Sequence, residues 1–269
     1  KISKSRYFIS GNEGIALGSL AAGMDIHLAY PMTPASPVLH FLAKRQLADN
    51  TLVFQPENEI AVVNMALGAS FAGAKVMVGT SGGGFALMTE AISLAGMAEL
   101  PLVVYLAQRT APSTGVPTYT AQGDLKFALN VGHGEFPRIV VAPGDPQESI
   151  ARVEEAFYLS CKYRTPAIVL GDKHLGESNY TFDKLEKSMF LSRQRPVFRA
   201  NSYEHRPDGH ATEDSRWIVK MNDARFKKIK LISSEIQKLK STTVFGPPVG
   251  EAGKGQNLIV SWGSTKGAI

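Results

Sequence analysis

The sequence has few of the residues from which redox and metal centres are usually built. Its 269 residues include a single cysteine, Cys161, and the six histidines show no metal-ligand spacing. One thiol can supply neither an internal disulfide nor the ligand set of an iron–sulfur cluster, so any cluster must lie on another chain. The helical apolar pattern around Cys161 predicts a small core residue. His133, between two glycines, is the one histidine whose role stays open.

Long hydrophobic runs and a strong charge are also missing. No apolar stretch approaches the roughly 18 residues of a membrane span and no secretory signal is present, so a cytoplasmic protein is expected. The net charge is only +5, and no aromatic residues alternate with the basic residues of the C-terminal third, which argues against a nucleic-acid partner. The chain starts without Met and stops just after an apolar run, which predicts a fragment of a longer polypeptide.

Short apolar runs alternate with longer helical patterns in the N-terminal two thirds of the chain. After RYFIS, the runs include IHLAY, TLVFQ, KVMVGTS, PLVVYLAQ, RIVVAP and PAIVLGD. This alternation is typical of βα units and predicts an α/β domain with an open parallel sheet that helices cover on both faces. Ligands of such sheets bind at the C-terminal ends of the strands, where YPMTPAS, TSGGG and a long loop after Arg109 are found.

Three regions are expected along the chain. Residues 1–172 form the α/β domain. Residues 173–255 lose the alternation and are interpreted as an extended linker with one long basic helix, at roughly 214–239. Residues 256–269, which include NLIVSWG, are expected to begin a truncated C-terminal α/β domain with a strand. The residues expected on the buried side of the basic helix are Trp217, Met221 and Ala224.

One acid, Glu59, lies among apolar neighbours in the first turn of a predicted helix. Val63 and Ala66 follow at i+4 and i+7, so its side chain is directed along an apolar stripe. Two interpretations are open at this point. Glu59 is either a solvated first-turn acid, which the helix dipole favours, or a buried acid with a chemical role.

A second motif, Gly79-Thr80-Ser81-Gly82-Gly83, matches the G-x-S-x-G nucleophile elbow of α/β-hydrolases. A chain with 25 glycines produces such a pattern easily, and no HGGG-type oxyanion loop precedes it. A serine hydrolase using Ser81 is therefore kept as an alternative. The candidate triad partners are His174, His205, His210, Asp145 and Asp172.

Four segments together resemble one enzyme family. They are GNEGIALGSLAAGMDIHLAYPMTPAS, ENEIAVVNMALGASFAGAK, TSGGGFALM and LAQRTAPSTGVPTYTAQGDL, and the likeness continues through GHGEFPRIVVAPGD to ARFKK. In this order and spacing they are similar to the pyrimidine-binding alpha part of 2-oxoacid:ferredoxin oxidoreductases. YPMTPAS has Met where Ile is expected before Thr, a conservative change. The resemblance implies the pyrimidine-domain fold of thiamine diphosphate enzymes, as in transketolase.

The resemblance also implies catalytic and substrate-binding residues. Glu59 corresponds to the glutamate that hydrogen-bonds the N1′ nitrogen of the cofactor's aminopyrimidine. Thr33 corresponds to a threonine that approaches the substrate, and Arg109 to the arginine that holds its carboxylate, a geometry for which the guanidinium fork is suited. Thr118 corresponds to a residue that recognises the far end of the 2-oxoacid.

The cofactor that the resemblance implies is thiamine diphosphate. Ser81, Gly83 and Phe85 are expected beside its pyrimidine end, and for Phe85 a plain core role is an equal alternative. No diphosphate and metal motif and no cysteine set are present in this chain. Mg²⁺ and a [4Fe–4S] cluster are therefore expected on a partner beta subunit, with no metal site here.

The implied reaction is oxidative decarboxylation of a 2-oxoacid to acyl-CoA, with coenzyme A as co-substrate and ferredoxin as electron acceptor. The chain is expected to be active only with its partner, and a fused or separate gamma domain is compatible with the missing Met. The STG-x-PT loop looks most like 2-oxoglutarate or broad-specificity members. Besides the hydrolase, a non-catalytic assembly subunit is an alternative, against which the retained Glu59, Thr33 and Arg109 argue.

Overall fold

The structure is a computed structural model that describes residues 6–184, 190, 197–239, 242 and 259–269. Its strands are β1 (Tyr7–Ser10), β2 (Ile26–Ala29), β3 (Leu52–Phe54), β4 (Val76–Thr80), β5 (Leu102–Gln108), β6 (Ile139–Val141), β7 (Pro166–Asp172) and β8 (Asn179–Phe182). Six of them form one parallel sheet in the order β3-β2-β4-β5-β7-β6. Strands β4, β5 and β7 are buried along their whole length, which explains their continuous apolar runs.

Helices cover both faces of this sheet. They are α1 (Gly11–Ala21), α2 (Ser36–Arg45), α3 (Glu59–Phe71), α4 (Gly82–Leu87), α5 (Thr89–Met97), α6 (Leu125–Asn130), α7 (Pro146–Tyr163), α8 (Lys173–Glu177) and α9 (Ser215–Lys238). One core cluster joins the sheet to α3, α4, α5 and α6, and a second joins it to α1, α2 and α7. The predicted α/β fold class, an open parallel sheet of the pyrimidine-domain type, is confirmed.

Three predicted elements differ from the structure. RYFIS does not join the parallel sheet, because β1 pairs antiparallel with β8 in a separate two-stranded sheet. The pattern after TSGGG predicts one helix to about Glu99, but the structure has two, α4 and α5, divided at Met88, whose φ of −90° and ψ of −2° turn the chain. Residues 259–262 form no strand, and Gly263–Ala268 form a 3₁₀-helix; residues 256–258 lie outside the described residues.

The region predicted as a linker holds α8, β8 and α9, and the long basic helix is confirmed. Its buried side differs from the prediction, since Met221 is buried but Ala224 is exposed. Two cations lie on the inner side instead: Arg225 pairs with Glu204, and Lys228 Nζ lies 3.4 Å from Glu99 Oε2. Whether residues 173–255 and 256–269 are regions of their own stays a prediction. Within the described ranges, no helix is long and apolar enough to cross a membrane.

Candidate cofactor and substrate site

The strand order reverses between β2 and β4. The chain runs from β2 outward to β3 on one side, and from β4 to β5 on the other. In open parallel sheets, ligands bind outside the carboxyl ends of the strands at this switch point. Four segments follow the carboxyl ends of these four strands: residues 30–35 after β2, 55–58 after β3, 81–84 after β4 and 109–124 after β5.

Glu59 is the first residue of α3. Asn58 caps the helix, because its Oδ1 accepts a hydrogen bond from Ala61 N–H at 2.9 Å. The Glu59 side chain is only 4% exposed, and Val63 and Ala66 on the same face are fully buried. Its Oε1 is buried without a hydrogen-bond partner in the described part of the chain. Glu59 is thus a buried acid rather than a solvated one, and the unpaired oxygen costs about 1–3 kcal/mol unless a ligand donates to it.

Gly84 lies directly against the Glu59 carboxyl group. A Cβ atom at Gly84 would lie 2.8 Å from Glu59 Oε1 and 2.2 Å from Thr80 Oγ1, so the two oxygens occupy the space that a side chain would need. Thr80 Oγ1 also lies 3.9 Å from the Met32 sulfur, in the loop after β2. Thr80 therefore joins the Glu59 side of the site to the loop that carries Thr33.

Ser81 is fully buried, and its Oγ has no hydrogen-bond partner among the described residues, which include His174, His205 and His210. No histidine is therefore placed to activate it, and the serine hydrolase interpretation is not supported. Gly83, by contrast, is exposed, and nothing lies within 4 Å of where its Cβ would be.

Phe85 has no exposed surface. Its ring packs edge-on against Phe127, with 5.0 Å between centroids and 69° between planes, inside the apolar core. This burial favours the core interpretation of Phe85. A contact of Phe85 with the cofactor stays a prediction.

Thr33 and Arg109 are brought together across the site. Arg109 Nη1–H donates to Thr33 O at 2.8 Å, and the Thr33 side chain is exposed. Among the described residues, no carboxylate pairs with Arg109, so a structural ion pair does not account for it. Its remaining N–H groups are available to an anion, and a carboxylate matches the fork.

Thr118 is exposed in the long loop after β5. The loop folds back on itself, since Val116 N–H donates to Thr110 O at 3.2 Å and Thr110 N–H donates to Tyr119 O at 3.2 Å. Gly115 has a φ of +55°, and a Cβ there would lie 1.8 Å from Thr110 O. Only glycine fits this turn, which presents Thr118 to solvent at the carboxyl end of the sheet.

Two carboxylates that shape this loop were not predicted for that role. Asp172 at the end of β7 accepts hydrogen bonds from Gln122 Nε2 at 2.9 Å and from Ser264 Oγ at 2.6 Å. Asp124 faces the glycine turn, because a Cβ on Gly82 would lie 2.8 Å from its Oδ2. Burial raises the pKa of the Asp124 carboxyl group. The residues that Asp172 and Asp124 contact lie far from them in the sequence, so no local pattern predicts these contacts.

The donors and acceptors at the switch point fit the polar edge of an aminopyrimidine. Glu59 Oε1 and Ser81 Oγ are both buried without partners in the described chain, and they flank the same glycine turn. A carboxyl group in this setting can share a proton with a ring nitrogen. For a metal ion the described residues offer no group of three or more His, Cys, Asp or Glu side chains.

Comparison with known proteins also indicates a thiamine diphosphate-binding family. Residues 17–223 match the family described as "Pyruvate flavodoxin/ferredoxin oxidoreductase, thiamine diP-bdg". The alpha subunit of 2-oxoacid:ferredoxin oxidoreductase 1 from Sulfurisphaera tokodaii is 34% identical, over 99% of this chain and 48% of its own length. The 2-oxoglutarate synthase subunit KorA from Archaeoglobus fulgidus is 36% identical, over 74% of this chain and 54% of its own.

A solved structure agrees with these relatives. It is the 2-oxoglutarate:ferredoxin oxidoreductase from Magnetococcus marinus with 2-oxoglutarate, coenzyme A and succinyl-CoA bound, with a TM-score of 0.81 and 32% identity over 87% of this chain and 46% of that chain. The chain spans about half the length of the curated relatives it matches. Relatives named as alpha subunits belong to complexes with further subunits. By its sequence match and its fold, the chain belongs to the thiamine diphosphate-binding family of pyruvate flavodoxin/ferredoxin oxidoreductases.

Proposed function

We propose that this chain is the alpha part of a 2-oxoacid:ferredoxin oxidoreductase, where it holds the aminopyrimidine of thiamine diphosphate and the carboxylate of the substrate. The complete enzyme converts a 2-oxoacid and coenzyme A to acyl-CoA and CO₂, and ferredoxin accepts the electrons. The observation that carries the proposal is the buried Glu59 Oε1 without a partner, placed beside Gly84 at the switch point of the sheet.

Glu59 acts as the proton-sharing group of the site. When bound, thiamine diphosphate supplies the nucleophilic carbon and the electron sink for decarboxylation. The carboxyl group of Glu59 holds a proton at the ring nitrogen and keeps the pyrimidine in one orientation. Glu59 is buried, as is Val63 on the same helix face, and its carboxyl group lies against Gly84, so water is excluded from it. The hydrogen bond to the ring nitrogen is therefore stronger, and no water molecule competes for the carboxyl group.

Arg109 and Thr33 form the substrate side. Arg109 is held by its bond to Thr33 O, and its free N–H groups bind the 2-oxoacid carboxylate. Thr33 is exposed, so its hydroxyl is accessible to the substrate. Thr118 on the folded loop meets the far end of the substrate. Relatives named 2-oxoglutarate synthase and the structure with 2-oxoglutarate bound favour 2-oxoglutarate, or a broad range of 2-oxoacids.

A partner subunit is proposed to close the site. Phe54, Ile60 and Leu87 belong to β3, α3 and α4 around Glu59, and their exposed fractions are 47%, 51% and 53%. We propose that these exposed apolar side chains contribute to the interface with the partner. The partner is a beta subunit with the Mg²⁺–diphosphate site and a [4Fe–4S] cluster, and a gamma domain completes the assembly. We propose that the complex is cytoplasmic.

The test is Glu59→Gln in the enzyme assembled with its partner subunits. Glutamine has the same shape but cannot exchange a proton, so turnover should fall by roughly 10² to 10⁴, the usual weight of a positioned proton-transfer group. Turnover is measured as coenzyme A-dependent dye reduction with pyruvate and 2-oxoglutarate side by side. The matched control is Glu213→Gln, the same change at an exposed acid outside the four segments of the site, which should keep its activity. A Glu59→Gln enzyme with normal turnover would remove the central claim.

A further inference from the structure

The N-terminal GNEG segment has no part in the reaction described so far, yet its first turn is tightly fixed. Ser10 and Glu13 form a reciprocal cap: Ser10 N–H donates to Glu13 Oε2 at 2.8 Å, and Glu13 N–H donates to Ser10 Oγ at 3.2 Å. This cap holds the start of α1 at the end of β1. Asn12 lies between the two capping residues and is buried.

Both ends of the Asn12 amide are used. Tyr105 OH on β5 donates to Asn12 Oδ1 at 2.8 Å, and Asn12 Nδ2–H donates to Pro34 O at 3.0 Å. Tyr105 is fully buried, and burial raises the pKa of its phenol, so the hydroxyl stays a donor. A Cβ on Gly176 would lie 3.0 Å from Asn12 Nδ2, so the amide is also confined from the α8 side.

These bonds reach the substrate side of the site. Pro34 follows Thr33, and each of the two consecutive carbonyl groups accepts a hydrogen bond: Thr33 O accepts from Arg109, and Pro34 O accepts from Asn12. Arg109 has an end in solvent, whereas Asn12 is buried and braced by Tyr105. The hydrogen bond from Asn12 therefore fixes the position of the Thr33–Pro34 segment more firmly than the bond from Arg109 does.

We propose that Asn12, braced by Tyr105, is a positioning residue that sets where Thr33 and Arg109 meet the 2-oxoacid carboxylate. The proposal rests on the proposed function, since it gives Thr33 and Arg109 their substrate. Asn12 itself touches neither substrate nor cofactor. Its effect is transmitted through the Pro34 carbonyl, so its loss changes substrate binding more than cofactor binding.

The test uses Asn12→Asp and Tyr105→Phe in the assembled enzyme. Asn12→Asp keeps the shape but replaces the Nδ2 donor with an oxygen that repels Pro34 O, and the KM for the 2-oxoacid should rise about tenfold or more. Tyr105→Phe removes only the brace and should give a smaller rise in the same direction. Thiamine diphosphate affinity, measured by fluorescence quenching, should stay within about twofold in both.

The matched control is Ser70→Ala. Ser70 Oγ donates to Pro101 O at 2.6 Å, the same kind of bond from a side chain to a proline carbonyl, at the amino end of the sheet. Ser70→Ala should lower the thermal midpoint without changing the KM. An Asn12→Asp enzyme that behaves as this control does, with a lower midpoint and normal KM, would overturn the proposal. If that variant does not assemble, Tyr105→Phe decides in the same way.

A double-mutant cycle separates positioning from a general structural role. If Asn12 acts through Thr33 and Arg109, then Asn12→Asp should add little to the KM of a Thr33→Ala, Arg109→Lys enzyme, because the hydroxyl and the guanidinium that it positions are both already gone. Independent effects that multiply would overturn the inference. The proposed function fails separately, if Thr33→Ala and Arg109→Lys both leave the KM for the 2-oxoacid unchanged whatever Asn12 does.

Discussion

A single methyl group at Gly84 tests whether the position of the Glu59 carboxyl group matters. In Gly84→Ala the new Cβ would lie 2.2 Å from Thr80 Oγ1, 2.7 Å from Glu59 Cγ and 2.8 Å from Glu59 Oε1. Thr80 belongs to a fully buried strand, whereas Glu59 is the first residue of its helix. The displacement therefore falls mainly on the Glu59 side chain.

The size of the effect follows from these contacts. Restoring ordinary van der Waals distances moves the carboxyl group by about 1 Å, and a misplacement of that size can cost about 10²-fold in rate. Overpacking costs about 1–3 kcal/mol, and replacing a helical glycine by alanine returns about 0.5–1 kcal/mol of that. We expect a large loss of turnover with a loss of stability of at most about 2.5 kcal/mol.

The assay is turnover and thermal midpoint of the assembled enzyme, with Gly68→Ala as the control. Gly68 lies on the same helix as Glu59, and nothing is found within 4 Å of where its Cβ would be. That variant should be at least as stable as the wild type and fully active. A Gly84→Ala, Thr80→Ala enzyme removes the hydroxyl contact and leaves only the contact with Glu59. If that double variant turns over normally, the location of the Glu59 carboxyl group is not what limits the reaction.

Two further outcomes are expected. Arg109→Lys keeps the charge but loses the fork and the bond to Thr33 O, so the KM for the 2-oxoacid should rise about tenfold or more; an unchanged KM contradicts the role of Arg109. Burial lowers the pKa of His27 from 6.5 to about 4, so the folded state binds fewer protons than the unfolded state between these values. Stability should be complete above pH 6.5 and fall by about 3 kcal/mol as the pH decreases to 4. When unfolding by urea is measured across this pH range, His27→Leu should lack this decline in stability. A decline as large as that of the wild type would show that His27 does not cause it.

The parallel sheet could be predicted because β4, β5 and β7 are buried on both faces and leave continuous apolar runs in the sequence. Strand β8 could not, because NYTF lies in a polar region and gains its strand character only from pairing with β1. The inner face of α9 was predicted only in part, for a related reason, since Met221 is buried but Ala224 is exposed. Lys228 and Arg225 face the core only because Glu99 and Glu204 are there to pair with them.

For the site, the spacing of Val63 and Ala66 made a buried Glu59 one of two open interpretations, and only the structure decides for burial. The hydrogen bond of Arg109 to Thr33 O spans 76 positions and follows from no local pattern; the family resemblance implied a substrate role for each residue but not the bond between them. Asn12 was missed for the same reason, because Tyr105 lies 93 positions away. Pairings of this kind depend on which strands are neighbours, and periodicity does not determine that order.

The three glycines after Ser81 are explained in different ways. A Cβ at Gly82 would meet the Asp124 carboxyl group, and one at Gly84 would meet Glu59, so both are required by contacts within the chain. Gly83 meets nothing in the described chain and is exposed, although a helical glycine costs about 0.5–1 kcal/mol relative to alanine. The same turn leaves Ser81 Oγ without a partner. The turn therefore has open space at Gly83 and an unpaired oxygen at Ser81, which molecules outside this chain can fill and bind. We expect the cofactor and the partner subunit to meet at Gly83.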